Sequence, residues 1–176
     1  MIKAIGSRKR AVRKPDGSYQ TFLSLIADLL DAEPVQRLDA FPHHADSSRL
    51  QHSVNVAYYS FLLCRQLGLD YRSAARGGLL HDLFFYDLAN KKDGPQHTWL
   101  HPEIALQNAE EVAELCDRER DIILCHMWPR AHLPRYLESF VVSLMDKVAF
   151  FTEVGRTVFV NHKSPRRSNT PVSVRI

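Results

Sequence analysis

Apolar residues recur at steps of three and four along most of this chain, the period of a helix with one buried face. In "TFLSLIADLLDAE", Phe22, Leu25, Ile26 and Leu29 form such a face, and the pattern predicts a helix ending near Pro34. "FPHHADSS" breaks the period and reads as a loop, after which Ser47 or Ser48 can cap a second helix. That helix runs to Gly68, burying Val54, Ala57, Tyr58, Phe61 and Leu62. Asp70 can cap a third, "YRSAARGGLLHDLFF", whose Ala74, Ala75, Gly77 and Gly78 allow close approach of a neighbouring helix. Adjacent glycines cost helix propensity, so they point to a packing or site requirement.

"LANKKDGPQHTWL" is a polar connection, and Pro102 suits the first turn of a fourth helix, "PEIALQNAEEVAEL". A short fifth, "DRERDIILCH", stops at the prolines of "MWPRAHLP". "PRYLESFVVSLMDKVAFFTEV" is the last strong helical stretch, and "TVFVNHKSPRRSNTPVSVRI" shows strand-like alternation broken by Ser, Pro and Arg. The expectation is an all-α chain: a basic segment over 1–18, one domain of about six helices over 19–155, and a loosely ordered basic tail over 156–176. Alternating strand and helix signals are missing, which disfavours α/β.

Composition narrows the class. The chain has 176 residues, 45% hydrophobic and 24% charged, enough for one soluble domain with an ordinary core. No signal-peptide pattern opens it and no apolar run has membrane-spanning length, so a cytoplasmic protein without membrane contact is expected. Cys64, Cys116 and Cys125 form no CxxC pair and read as buried small apolar groups rather than ligands.

The net charge of +3 hides an asymmetry. Lys3, Arg8, Lys9, Arg10, Arg13 and Lys14 open the chain, and Arg156, Lys163, Arg166, Arg167 and Arg175 close it. Setting those eleven aside leaves 12 basic residues against 20 acidic ones in the rest. Basic ends can touch nucleic acid, but no aromatic residues are interleaved for base stacking, and solvated tails are the favoured reading.

Candidate chemistry gathers on His and Asp residues. His52 falls one residue off the stripe of the second helix, and His81-Asp82 lies near the end of the third. Consecutive helical residues diverge by about 100°, so that pair reaches one site only if the helix end relaxes or the carboxylate reaches across. His101 precedes Pro102, His126 closes the fifth helix, and Asp146 interrupts the apolar "VVSLMDKVAF". Singly, each has an ordinary reading: a partly buried histidine, a helix-start residue, a C-terminal cap, or an Asp146 ion pair with Lys147 or Arg135. Together they form a spaced set of imidazoles and carboxylates, the donors that suit Zn, Mn, Fe, Co or Ni.

Those residues carry a resemblance. "HSVNVAYYSFLLCRQLGLDYRSAARGGLLHD", "HPEIALQNAEE", "ILCHMWP" and "ESFVVSLMDK" resemble the HD-domain superfamily of metal-dependent phosphohydrolases, in particular small bacterial members, over residues 20–155. The family pattern maps onto His52, His81-Asp82 and Asp146, which by resemblance bind one divalent metal. His101 and His126 match the extra histidines of a two-metal subgroup, with Asp82 as the bridge. The resemblance implies one or two divalent transition-metal ions and a metal-activated water that hydrolyses a small phosphorylated substrate: a nucleotide, phosphomonoester or cyclic phosphodiester. His81 and Asp82 are then catalytic as well as metal-binding.

Two departures stand out. "LFFYD" follows the His-Asp pair where many members have a Gly-Lys type sequence, and the basic tail has no family counterpart. Substrate phosphate would then meet other cations; Lys91 and Lys92 are the leading candidates, followed by Arg76, Arg130 and Lys147. His43 or His44 could cover the pocket mouth, although an ordinary loop is the simpler reading. Two alternatives remain: a di-iron oxygenase of the same fold cleaving a C–C or C–P bond, and a non-catalytic ligand-binding module.

Overall fold

Among the described residues the chain forms seven α-helices, six of them carrying the periodicity read from the sequence, and no strand. The structure, a computed structural model, describes residues 17–43, 47–86, 97–130 and 132–163, with backbone alone for 97–99 and 155–163. Helix α1 (Ser18–Leu30) buries Phe22, Ile26 and Leu29, as its spacing predicts. An unpredicted short helix follows. In α2 (Glu33–Arg37), Pro34 occupies the first turn, where its missing N–H is no loss, and a 3-10 turn covers Leu38–Ala40. Val35 and Leu38 join these pieces to the core.

Helix α3 (Arg49–Leu67) starts at Ser48, whose hydroxyl accepts from the Gln51 N–H at 3.2 Å. It stops at Gly68, whose φ of 71° is left-handed backbone that glycine adopts without strain. Asp70 caps α4 (Tyr71–Leu80) by accepting from the Ser73 N–H at 3.1 Å. This helix is shorter than predicted. After Leu80 the chain tightens, with the Leu83 N–H donating to the Leu80 carbonyl and the Phe84 N–H to that of Asp82. The relaxed end is what allows His81 and Asp82 to face one region.

Helix α4 packs against α3 on one side and α6 (Asp117–Cys125) on the other. The two glycines set those distances. A Cβ on Gly78 would lie 3.0 Å from Ala57 Cα, and one on Gly77 would lie 2.7 Å from Ile122 Cγ2. One buried cluster includes Phe22, Ile26, Leu50, Phe61 and Leu79, and a second includes Val56, Cys64, Ala74, Ile122 and Val142. Each such large apolar side chain contributes about 1.5–3 kcal/mol on leaving water.

Helix α5 (His97–Val112) begins five residues before Pro102, so the proline lies inside the helix rather than in its first turn. His101 is accordingly helical despite the bias a following proline imposes. Glu119 completes the start of α6 by accepting from the Cys116 N–H at 2.9 Å. Helix α7 (Leu137–Lys163) extends past residue 155, so residues 156–163 continue a helix where alternation suggests tail. Residues 1–16 and 164–176, with most of the basic charge of the termini, lie outside the described residues. No helix among the described residues is long and apolar enough to cross a membrane. All three cysteines are free; Cys64 and Cys125 are buried as expected, whereas Cys116 is exposed.

Candidate metal centre

Five helices, α3 to α7, deliver six imidazoles and carboxylates from their length or their ends to one buried region. His52, in the first turn of α3, is wholly buried and points Nε2 at Asp146 Oδ1 of α7, 3.0 Å away. Its Nδ1 lies 3.2 and 3.3 Å from the two oxygens of Glu153. Burial alone would depress the His52 pKa, but hydrogen bonds to Asp146 and Glu153 carry it up to about 10. Asp146 is driven the other way: burial opposes its charge, and His52 overcomes that and holds it below the ordinary carboxylate range. Its observed partner is thus His52, not Lys147 or Arg135.

His81 caps α4 and donates from Nδ1 to the Gly78 carbonyl at 2.9 Å. That bond fixes the proton on Nδ1 and turns Nε2 inward, where it is buried without a hydrogen-bond partner. This nitrogen faces Asp82 Oδ2 at 3.7 Å and Asp146 Oδ1 at 3.8 Å. His126 repeats the device at the end of α6, donating from Nδ1 to the Ile123 carbonyl at 2.7 Å. Burial, with His81 and His101 nearby, pushes His126 down to about 3, so its Nε2 stays unprotonated at neutral pH. His101 Nε2 lies 2.8 Å from that nitrogen.

Asp82 stands between the two sets. Its Oδ2 faces His81, while Oδ1 lies 3.6 Å from His101 Nε2 and 3.5 Å from His126 Nε2. Burial opposes its ionisation, yet the surrounding imidazoles, His81 foremost, hold it well below the usual carboxylate range. Donor atoms of His52, His81 and Asp146 lie within 4.8 Å of one another, and so do those of Asp82, His101 and His126.

These donors fit divalent ions. Bonds of about 2.0–2.2 Å place neighbouring ligand atoms roughly 3–3.5 Å apart, close to the separations in both groups. The buried, unpartnered His81 Nε2 has the character of a ligand atom awaiting a cation, since an unpaired buried nitrogen is otherwise costly. The two inward aspartates would be costly too without positive charge.

An all-α domain with buried His and Asp donors on facing helices defines a helical protein with a candidate metal site. The family model described as HD domain matches residues 49–150, more than half of the chain, and the chain belongs to the HD-domain family. It thereby falls within a superfamily of metal-dependent phosphohydrolases. Neither curated proteins nor solved structures yield a match to it.

Several residues at the site were not singled out by the sequence. Glu153, seven positions after Asp146 and so on the same face of α7, accepts from Asn55 Nδ2 at 2.8 Å as well as from His52. Those bonds outweigh burial and keep its carboxyl below the ordinary range. Arg49, three residues before His52, is wholly buried and donates to the carbonyls of Phe84 and Tyr86 at 2.6 and 3.1 Å. Its guanidinium lies 3.7 Å from the Phe84 ring centroid. Arg49 therefore ties α3 to the segment after the His-Asp pair, where the unusual "LFFYD" sequence buries Leu83 and Phe84.

The expected phosphate contacts divide. Arg76 is engaged elsewhere: it donates to Glu119 at 3.1 Å and to both Asp28 oxygens at 2.8 and 2.9 Å. These bonds hold α1, α4 and α6 together. Lys147 is half-buried and donates to the carbonyl and hydroxyl of Ser143 at 2.8 and 2.9 Å. Burial lowers its pKa, and the charge of Arg130 adds to that. Arg130 is exposed in the segment after His126. Lys91, Lys92 and His44 lie outside the described residues.

Proposed function

We propose that this chain hydrolyses a phosphate ester, with divalent transition-metal ions held by His52, His81, Asp82 and Asp146 and by Asp82, His101 and His126. The observation that carries this reading is the split carboxylate of Asp82, one oxygen facing His81 and the other facing His101 and His126. Ions at such a site would activate water and neutralise charge on phosphate oxygens.

The chain's own residues supply orientation and dryness. Backbone carbonyls of Gly78 and Ile123 fix the tautomers of His81 and His126, and Glu153 does the same for His52. Burial of His52, His81 and His126 keeps bulk water from their ring nitrogens and strengthens every charge interaction there. Asp146, with 19% of its side chain exposed, marks the more open side. No serine or cysteine nucleophile is required, and burial raises the Cys64 and Cys125 thiols to about 12, which leaves them poor nucleophiles.

The test is a panel of nucleotides, phosphomonoesters and cyclic phosphodiesters offered to protein reconstituted with each candidate metal, with and without O₂. The proposal expects phosphate or phosphomonoester release that needs metal and not O₂. Oxygen consumption by a di-iron form, without hydrolysis on any substrate, would establish the oxygenase alternative instead.

A further inference from the structure

His43 is a donor that the six-residue site does not use. It belongs to the loop between the 3-10 turn and α3, and that loop is held at several points. The His43 N–H donates to the Ser47 carbonyl at 3.0 Å, the Arg49 N–H donates to the Phe41 carbonyl at 2.9 Å, and Pro42 pairs with Ser48 in an isolated antiparallel bridge. These bonds lay the His43 ring over that of His52, with centroids 4.0 Å apart. Donor atoms of His43, His52 and Asp82 lie within 4.8 Å of one another, a third group sharing one member with each of the other two.

Because Glu153 engages His52 Nδ1, His52 has its Nε2 to give, and that nitrogen faces Asp146. His43 shares its donor group with His52 and with Asp82, and His52 in turn is grouped with His81 and Asp146. We infer that His43 is a further ligand of the first ion, the one that His52 and Asp146 hold, so that the exchangeable coordination positions open to an anionic substrate lie on the second ion. This rests on the metal-centre reading above. On this reading the first position draws on His43, His52, His81, Asp82 and Asp146: His52 shares one donor group with His43 and Asp82 and another with His81 and Asp146, while the second position has Asp82, His101 and His126.

The asymmetry has a chemical consequence. Five protein donors exceed the four of a structural zinc site and suit ions of higher coordination number, such as Mn, Fe, Co or Ni. Three donors leave the second ion with open positions, the pattern of catalytic sites. The loop residue His43 thus distinguishes a tightly held ion from an exchangeable one.

The experiment is a titration of metal-free protein with Mn(II) or Co(II) against a competing chelator. It compares wild type, His126→Ala, His43→Gln, the double variant, and His132→Gln as a control at an exposed histidine. The three bonds that shape the loop run between backbone atoms, and melting of the metal-free His43→Gln protein, measured beside wild type, separates any loss of stability from loss of metal affinity. His126→Ala isolates the first ion, and adding His43→Gln should weaken the remaining ion at least about tenfold, the scale of even outer-shell losses. His132→Gln should bind as wild type does. Equal affinity in His126→Ala and the double variant would overturn the inference while leaving the metal centre standing. Wild-type protein that takes up no ion would overturn both.

Discussion

Gly78→Ala probes the contact that brings His52 and His81 within reach of each other. A Cβ at Gly78 would lie 3.0 Å from Ala57 Cα and 3.3 Å from Ala57 N, both backbone atoms that cannot swing aside. An unstrained carbon pair sits at about 3.5–4.0 Å, so α3 and α4 would have to part by roughly 0.5 Å. Overpacking of this kind costs about 1–3 kcal/mol, and alanine returns up to about 1 kcal/mol of helix propensity. Taking about 2 kcal/mol, the middle of the overpacking range, less up to about 1 kcal/mol, the expected net loss is about 1–2 kcal/mol, a fall in Tm of about 2–8 °C for a domain of this size. Gly17→Ala is the matched control, since nothing lies within 4 Å of its added methyl group. The displacement also moves the Gly78 carbonyl that orients His81, so metal affinity should fall with stability. Thermal and urea unfolding of metal-free protein, followed by chelator competition, measure both. A Gly78→Ala protein as stable as wild type, with unchanged affinity, would refute the argument from close helix approach.

Other substitutions separate the parts of the site. Asp82→Asn should lose both ions because both groups depend on its oxygens, whereas His126→Ala should lose mainly the second; metal analysis of each purified variant checks this. Arg76→Met should cost about 3 kcal/mol by leaving the Glu119 carboxylate buried without its cation, yet leave metal affinity intact, as unfolding and chelator titrations would read. The raised pKa of His52, about 10 against an ordinary 6.5, predicts a pH effect. Its contribution to metal-free stability is complete below about pH 6.5 and disappears as pH rises through about 10. Metal binding at neutral pH should therefore release a proton from His52, visible as a buffer-dependent enthalpy in calorimetry.

Most of the helical layout was legible because apolar spacing and caps are local signals: Phe22 to Leu29, Ser48, Gly68 and Asp70 each act within a turn of their own position. Helix α2 was obscured by Pro34, which ends one helix and begins another with equal ease. The start of α5 was misplaced for a related reason, since Pro102 marks a first turn in most helices but is tolerated inside this one. Ligand candidates were visible as His and Asp residues in apolar surroundings, Asp146 above all. Glu153 was not visible, because one glutamate in "FFTEV" looks like an exposed position until its seven-residue offset from Asp146 is considered. The partners of Arg76 were not legible either, since a cation near the His-Asp pair suggests phosphate binding first. Five residues before His81, Arg76 points about 140° around α4 from that ligand and meets Asp28 and Glu119 instead. Which charges meet across helices is set by packing, and periodicity does not carry it.

The central claim is that one buried region holds two ions through a shared Asp82. Its most direct test is the number of metal ions per chain in protein reconstituted with Mn, Fe, Co, Ni or Zn, measured by elemental analysis after removal of loosely bound metal. Two ions per chain in wild type, and none in Asp82→Asn, are the predicted results. No bound ion in wild type, or undiminished occupancy in Asp82→Asn, would contradict the account.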